Sequence, residues 1–157
     1  MMSAPPVLPD ANLLLAYGWR SHADHGKSRA WFAGLPGFAT CPITELGFLR
    51  VSMSPAFRAS FQDAMTVLNT LTTLGTAGFL SCDLPTAPMA RVSRHKDTTD
   101  AYLVSLARQH GYRLATLDEG LLKAPWADGV VFHPFLPPPA NAGPGAVGQT
   151  ATRSESD

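Results

Sequence analysis

The 157-residue sequence predicts an α/β fold: a parallel sheet of roughly five strands covered by helices on both faces. Three observations carry that expectation. Short apolar runs alternate with helical patterns over the whole element order, which is the signature of parallel strands joined by helical crossovers. The helical patterns carry their own start and stop residues. With 45% hydrophobic and 15% charged residues, the chain can bury one core and is too short for two domains of ordinary size.

Val7 and Leu8 open the first strand, and Pro9 is tolerated at a strand end. Helical patterns follow, the clearer one running from His22 to Leu35 and stopped by Pro36 and Gly37. Phe38 to Cys41, "FATC", reads as the second strand, after which Pro42 suits the first turn of a helix through "ITELGFLRVSM". In "FRASFQDAMTVLNTLTTLG" the residues Phe61, Ala64, Met65, Leu68 and Leu71 repeat at helical spacing up to Gly75. Gly78 to Cys82 is the third strand, and Thr86 to Arg94 a short helix. "DTTDAYLVSLARQHG" is the strongest helix, with capping residues in front and Gly111 behind. Arg113 to Asp118 and Val130 to His133 complete the strands. Residues 1–136 therefore read as one domain. Residues 137–157, rich in Pro, Gly and small polar residues, read as a disordered tail.

Twelve basic and twelve acidic residues cancel, so no global positive field draws in nucleic acid; such a partner needs a local patch or a metal. Cys41 and Cys82 lie in short apolar stretches without metal-ligand spacing and read as small core residues of a protein in a reducing cytoplasm. The start "MMSAPP" has neither the charged nor the apolar region of a leader, and no apolar run approaches membrane-spanning length.

In a parallel α/β sheet, sites form outside the carboxyl ends of the strands. Of the ten acids in the body, four stand at a strand's carboxyl end or in the first turn of a helix and also border a buried stripe or strand. Asp10 follows Val7 and Leu8, Glu45 follows "FATC" on the stripe of Phe48 and Leu49, and Asp118 follows "RLAT". Asp100 opens the strongest helix on the stripe of Leu103, Val104 and Ala107. Asp63 falls off its helix's apolar stripe and reads as solvated. Taken singly, each of the four acids is equally well explained as a helix cap or dipole partner, with Asp97 capping ahead of Asp100. Together, carboxylates converging on one cleft would repel and raise one another's pKa unless a cation held them. Mg²⁺ or Mn²⁺ suits such oxygen-only sites, and phosphodiester hydrolysis suits such metals. Asn12, two residues after Asp10, would position that carboxylate or a metal-bound water.

The stretches "PDANLLLAY", "TELGFLRV", "TDAYLVSLARQHG" and "LATLDEGL", with packing like that of "SRAWFAGL", resemble the PIN-domain nucleases, and among them the VapC-type toxins of bacterial toxin-antitoxin systems. The likeness covers roughly residues 7 to 136. It implies a three-layer sandwich, an acidic Mg²⁺ or Mn²⁺ site, cleavage of single-stranded or loop RNA, a homodimer, and an antitoxin protein that blocks the cleft. By position, Asp10, Glu45, Asp100 and Asp118 match the family's metal-binding acids, and Thr116 a small polar residue before the last of them. Asp100 is preferred to Asp97 on its "TDAYL" context and its helix face.

Arg91, Arg94, His95 and Lys96 cluster just before Asp100, where they would hold RNA phosphates or simply form a solvated loop; Arg50 would contact phosphate or pair with an acid. His22, His25 and His110 read as surface or helix-end residues, and Trp19, Trp31 and Trp126 as packing anchors unless one is exposed to stack a base. Two other function classes remain open. A phosphatase of the haloacid dehalogenase type also begins with an Asp at the first strand's end, but it needs a second Asp where Asn12 stands. A catalytically silent interaction module of the same fold would keep the acids without turnover.

Overall fold

A computed structural model describes residues 4–74 and 76–137. The predicted stop at Gly75 and residues 138–157 of the tail lie outside the described residues. Five strands, β1 (Val7–Pro9), β2 (Phe38–Thr40), β3 (Ala77–Phe79), β4 (Arg113–Ala115) and β5 (Val131–Phe132), form one sheet in the order β3-β2-β1-β4-β5. Every pairing is parallel, with Leu8 opposite Leu114 and Phe38 opposite Ala77.

Alternation along these short strands divides the core. Leu8 and Leu114 point to one face, where they pack with Leu103, Val104, Leu106 and Ala107 of α5 (Thr98–His110). Val7 and Ala115 point to the other. There they meet Leu13 and Leu14 of α1 (Ala11–Gly18), Phe32 of α2 (His25–Ala33), Phe48 of α3 (Pro42–Ser52) and Leu68 of α4 (Phe61–Thr72). The result is the expected three-layer arrangement. A short α6 (Glu119–Leu122) follows β4.

The helix boundaries follow local chemistry. Pro42 stands in the first turn of α3, behind a capping box in which the Cys41 amide donates to Thr44 Oγ1 at 3.1 Å. Gly111 ends α5 at φ 74°, a left-handed conformation that glycine adopts without a Cβ penalty. Cys41 is buried and Cys82 half-buried, both as free thiols. Where α1 crosses α3, a Cβ added to Gly47 would stand 2.9 Å from the Ala11 Cβ. Gly47→Ala is expected to destabilise by about 1–3 kcal/mol through overpacking, read as a lower denaturant midpoint at unchanged slope.

Several expected elements are shorter or absent. No helix forms over Thr86 to Arg94. Pro88 steers Ala87 away from the helical region and the Ala90 amide is taken by Ser105 Oγ at 3.1 Å, leaving a turn in which the Met89 amide donates to the Thr86 carbonyl at 3.1 Å. Only a single 3₁₀ turn, His95–Asp97, precedes α5. The helix expected from His22 starts at His25, because the His22 ring accepts the Asp24 amide at 3.0 Å and holds a turn. α4 begins at Phe61 behind a Ser60 cap, while Arg58 is left-handed at φ 55°. Phe61, though in register with the apolar stripe, lies 56% exposed in the first turn. Among the described residues no helix is long and apolar enough to cross a membrane.

Candidate active site

From β1 the chain winds outward through β2 to β3, then returns to β4 on the other side of β1. The strand order reverses between β1 and β4, and the crevice at such a point is where open α/β sheets bind ligands. Asp10 leaves β1 into this crevice and Asp118 follows β4. Both are N-caps: Asp10 Oδ1 accepts the Leu13 amide at 3.1 Å and Asp118 Oδ1 the Gly120 amide at 2.8 Å.

Thr116 joins them. Its hydroxyl, fully buried, donates to Asp10 Oδ2 and accepts the Asp118 amide at 3.0 Å, so one side chain fixes both acids across the switch point. Asp10 is not placed inside an apolar core; it is the polar group that closes the end of one. Burial nevertheless pushes its carboxyl up to about 6. The bonds from Thr116 and Leu13 pull the other way, and the charges of Asp100 and Asp118 add to the rise.

Asp100, in the first turn of α5, is half-buried. Its pKa is also raised, first by burial and then by Asp118 and Asp97. Asp97 stands apart in role. It makes a two-pronged pair with Arg94, both contacts at 2.9 Å, and the hydrogen bonds from that guanidinium hold its carboxyl below the ordinary value. Its side chain therefore caps no helix, contrary to the reading of "DTTD" as a simple cap. Of the two aspartates, Asp100 is the one that faces other acids.

Glu45 occupies the first turn of α3 at the end of β2, where Glu45 Oε2 accepts from Thr40 Oγ1 at 3.0 Å. Asp10 feels the charges of Asp100 and Asp118, and Asp100 those of Asp118 and Asp97, while Glu45 is engaged by Thr40. The structure thus brings Asp10, Asp100 and Asp118 together and leaves Glu45 on the flank. Asn12 is engaged elsewhere than expected: its Oδ1 lies 3.0 Å from His22 Nε2, and the His22 ring stacks near Phe57. The carboxylate of Asp10 is positioned by Thr116 and the Leu13 amide instead.

A cleft of about 340 Å³ opens on Asp100 and Asp118, lined also by Asp97, Arg94, Lys96 and Trp126 but not by Asp10 or Glu45. Arg94 and Lys96 thus border the acids as the sequence suggested. Arg50 lines a different, apolar groove of about 770 Å³ with Ile43, Leu46, Met89 and Tyr102, and Arg91 is exposed without lining either. The presence of Trp126 in the acidic cleft escaped sequence reasoning; its only signal was a tryptophan a few residues after the last acid.

Oxygen donors alone, on carboxyls that burial and like charge push toward protonation, make a fitting environment for a hard divalent cation. Among the described residues no group of three or more acids, histidines or cysteines is gathered closely enough to hold a metal ion by itself.

A model of the PIN domain family matches residues 7–127. The chain is 40% identical over 122 residues to Ribonuclease VapC38 of Mycobacterium tuberculosis, an alignment covering 73% of this chain and 86% of that protein. It is 37% identical over 124 residues to Ribonuclease VapC44 of the same species, covering 73% and 87%. Among solved structures, a toxin-antitoxin complex from Klebsiella pneumoniae has a TM-score of 0.53 at 20% identity, covering 82% of this chain and 98% of that one. VapBC2 from Rickettsia felis, bound to a DNA fragment from its promoter, has a TM-score of 0.55 at 11% identity, with the same coverage. The two structures agree in fold, and the family model spans β1 to β4 and every acid of the crevice: this chain belongs to the PIN domain family, with relatives among the VapC ribonucleases.

Proposed function

We propose that this chain is an endoribonuclease that hydrolyses phosphodiester bonds of single-stranded or looped RNA, acting as the toxin of a toxin-antitoxin pair in the cytoplasm. The observation that carries the reading is the Asp10–Thr116–Asp118 bridge across the switch point, with Asp100 facing it. Asp10, Asp100 and Asp118 would hold Mg²⁺ or Mn²⁺, with Glu45 contributing from the flank. When bound, such a cation activates water and neutralises charge on the leaving oxygen.

The chain's own residues prepare that chemistry. Thr116 and the Leu13 amide stabilise the ionised form of Asp10 against the cost of burial. Lys96, exposed at the cleft, attracts a phosphate, and Arg94 orders the rim through Asp97. Thr116→Val removes the one side-chain donor to Asp10 among the described residues and is expected to lower RNA cleavage about 10- to 100-fold, about the cost of one charge-assisted hydrogen bond. Thr116→Ser, which keeps the hydroxyl, is expected to retain cleavage within a few-fold, as read from initial rates side by side.

The reading includes a cognate antitoxin protein and a homodimer. It is supported by structural neighbours that are themselves toxin-antitoxin assemblies, and by the apolar groove beside Leu46, which is 65% exposed. The phosphatase alternative loses ground at Asn12. That residue is not an acid, and its amide oxygen is taken up by His22. The test is cleavage of a mixed RNA panel beside hydrolysis of p-nitrophenyl phosphate. Discrete RNA products with no ester hydrolysis support the nuclease; the reverse pattern supports the phosphatase; neither activity supports the silent module.

A further inference from the structure

Three tryptophans are present, and two are committed to packing. The Trp19 indole N–H donates to Ser52 Oγ at 2.9 Å and its ring stacks near Phe48. Trp31 stands edge-on to Phe32, with centroids 4.9 Å apart, and near Phe132. Trp126 is half-buried like both of them, but among the described residues it makes no aromatic pair, and it lines the cleft that holds Asp100 and Asp118.

Its backbone is also fixed. Trp126 lies in a 3₁₀ turn, Pro125–Ala127, that begins with a proline, and Arg108 of α5 donates to its carbonyl at 3.2 Å. Trp126 packs against the core cluster that includes Leu103, Val104 and Ala107 of α5 while also lining the cleft, so the residue is held between core and cleft. Lys96 stands on the same cleft as a cation for a phosphate. A rigid π-face beside a phosphate-attracting cation is what a splayed, unpaired base requires, and such stacking is tolerant of sequence.

Resting on the ribonuclease reading above, we propose that Trp126 is a stacking platform for one unpaired base of the RNA, next to the phosphate drawn by Lys96 to the cleft of Asp100 and Asp118. This makes Trp126 a substrate-positioning residue whose contribution depends on a base being present at one defined position. A packing anchor would contribute equally whatever the RNA.

The test is a cycle between protein and RNA. A single-stranded oligoribonucleotide with a mapped cleavage site is prepared with an abasic residue at each position flanking that site. Cleavage by wild type, Trp126→Ala and Trp126→Phe is measured with Mg²⁺, after equal thermal midpoints have been checked. The expected result is that one abasic position costs wild type between about 5- and 150-fold, costs Trp126→Ala almost nothing further, and that Trp126→Phe restores most of the dependence. A loss in Trp126→Ala that is the same for every RNA, or no loss at all, overturns the proposal.

The same oligonucleotides are titrated onto Asp10→Asn with and without Trp126→Ala, following binding by fluorescence anisotropy. This arm reads stacking even if the wild type cleaves nothing. Position-specific, base-dependent weakening then supports the platform while the nuclease reading alone fails. Binding that is indifferent to Trp126 overturns the platform.

Discussion

Asp100→Asn is expected to lower RNA cleavage about 100- to 1,000-fold, the scale of removing a group that stabilises charge in the transition state, whereas Asp97→Asn loses no more than about 10-fold. The two residues lie one turn apart, and their surroundings assign them different work. Asp97 is satisfied by Arg94, which holds its carboxyl ionised at the rim. Asp100 sits half-buried against Asp118, a position that repels a proton-free carboxyl unless a cation is shared. Neither change should unfold the chain, since neither carboxylate bonds the Leu103 and Val104 face that packs α5 on the sheet. Equal losses in both variants would mean that the rim pair, rather than the inner acid, governs the chemistry. Rates and thermal midpoints measured on the same preparations distinguish these cases.

The second large effect is on stability and its pH dependence. Burial raises Asp10 in the folded chain to about 6 from an ordinary 3.8. A raised folded value means that the folded state binds the proton more tightly than the unfolded chain. The stability from that proton is complete below the unfolded value and is lost as pH rises through 6. Metal-free protein should therefore gain stability as pH falls from 7 toward 4, with Asp100 contributing in the same direction. The cost of an ionised Asp10 at pH 7 is about 3 kcal/mol at two pKa units. Asp10→Asn, which keeps a good N-cap side chain for α1, removes this cost. In EDTA at pH 7 it should be more stable than wild type, and the gap should close near pH 4. Denaturant unfolding across that range measures both, and a gap that does not shrink on acidification would show that Asp10 ionises freely. Saturating Mg²⁺ should stabilise wild type and flatten its pH dependence, through binding to the folded state alone.

The sequence made the sheet legible because its signals are local. Pro42, Gly111 and the apolar stripe of α5 each mark a boundary or a face without reference to the rest of the chain. Asp10 and Asp118 were readable because each stands just after a strand, and a parallel sheet collects such positions at one edge. What joins them was half visible. Thr116 was placed beside Asp118, but its bond to Asp10 spans 106 residues and depends on β1 lying next to β4.

Side-chain partners within a turn were hardest to read. Asn12 looked poised to serve Asp10, yet the His22 turn captured it. The loop from Thr86 to Arg94 carried enough helix formers to suggest a helix, but Pro88 steers the residue before it away from the helical region and Ser105 captures the Ala90 amide. Trp126 shows the same difficulty at the level of function. Nothing local separates it from Trp31, and only the position of α5 and the turn after α6 puts its ring in the acidic cleft.

If the acids gathered between β1 and β4 act by holding a divalent cation for RNA cleavage, the deciding measurement is cleavage of structured and single-stranded RNAs by EDTA-stripped wild type and Asp10→Asn, as Mg²⁺ or Mn²⁺ is added back. Discrete products are expected from wild type only with added metal, vanishing again with EDTA, and none from Asp10→Asn at any metal concentration. Metal-independent cleavage, or equal cleavage by the two proteins, would contradict that role.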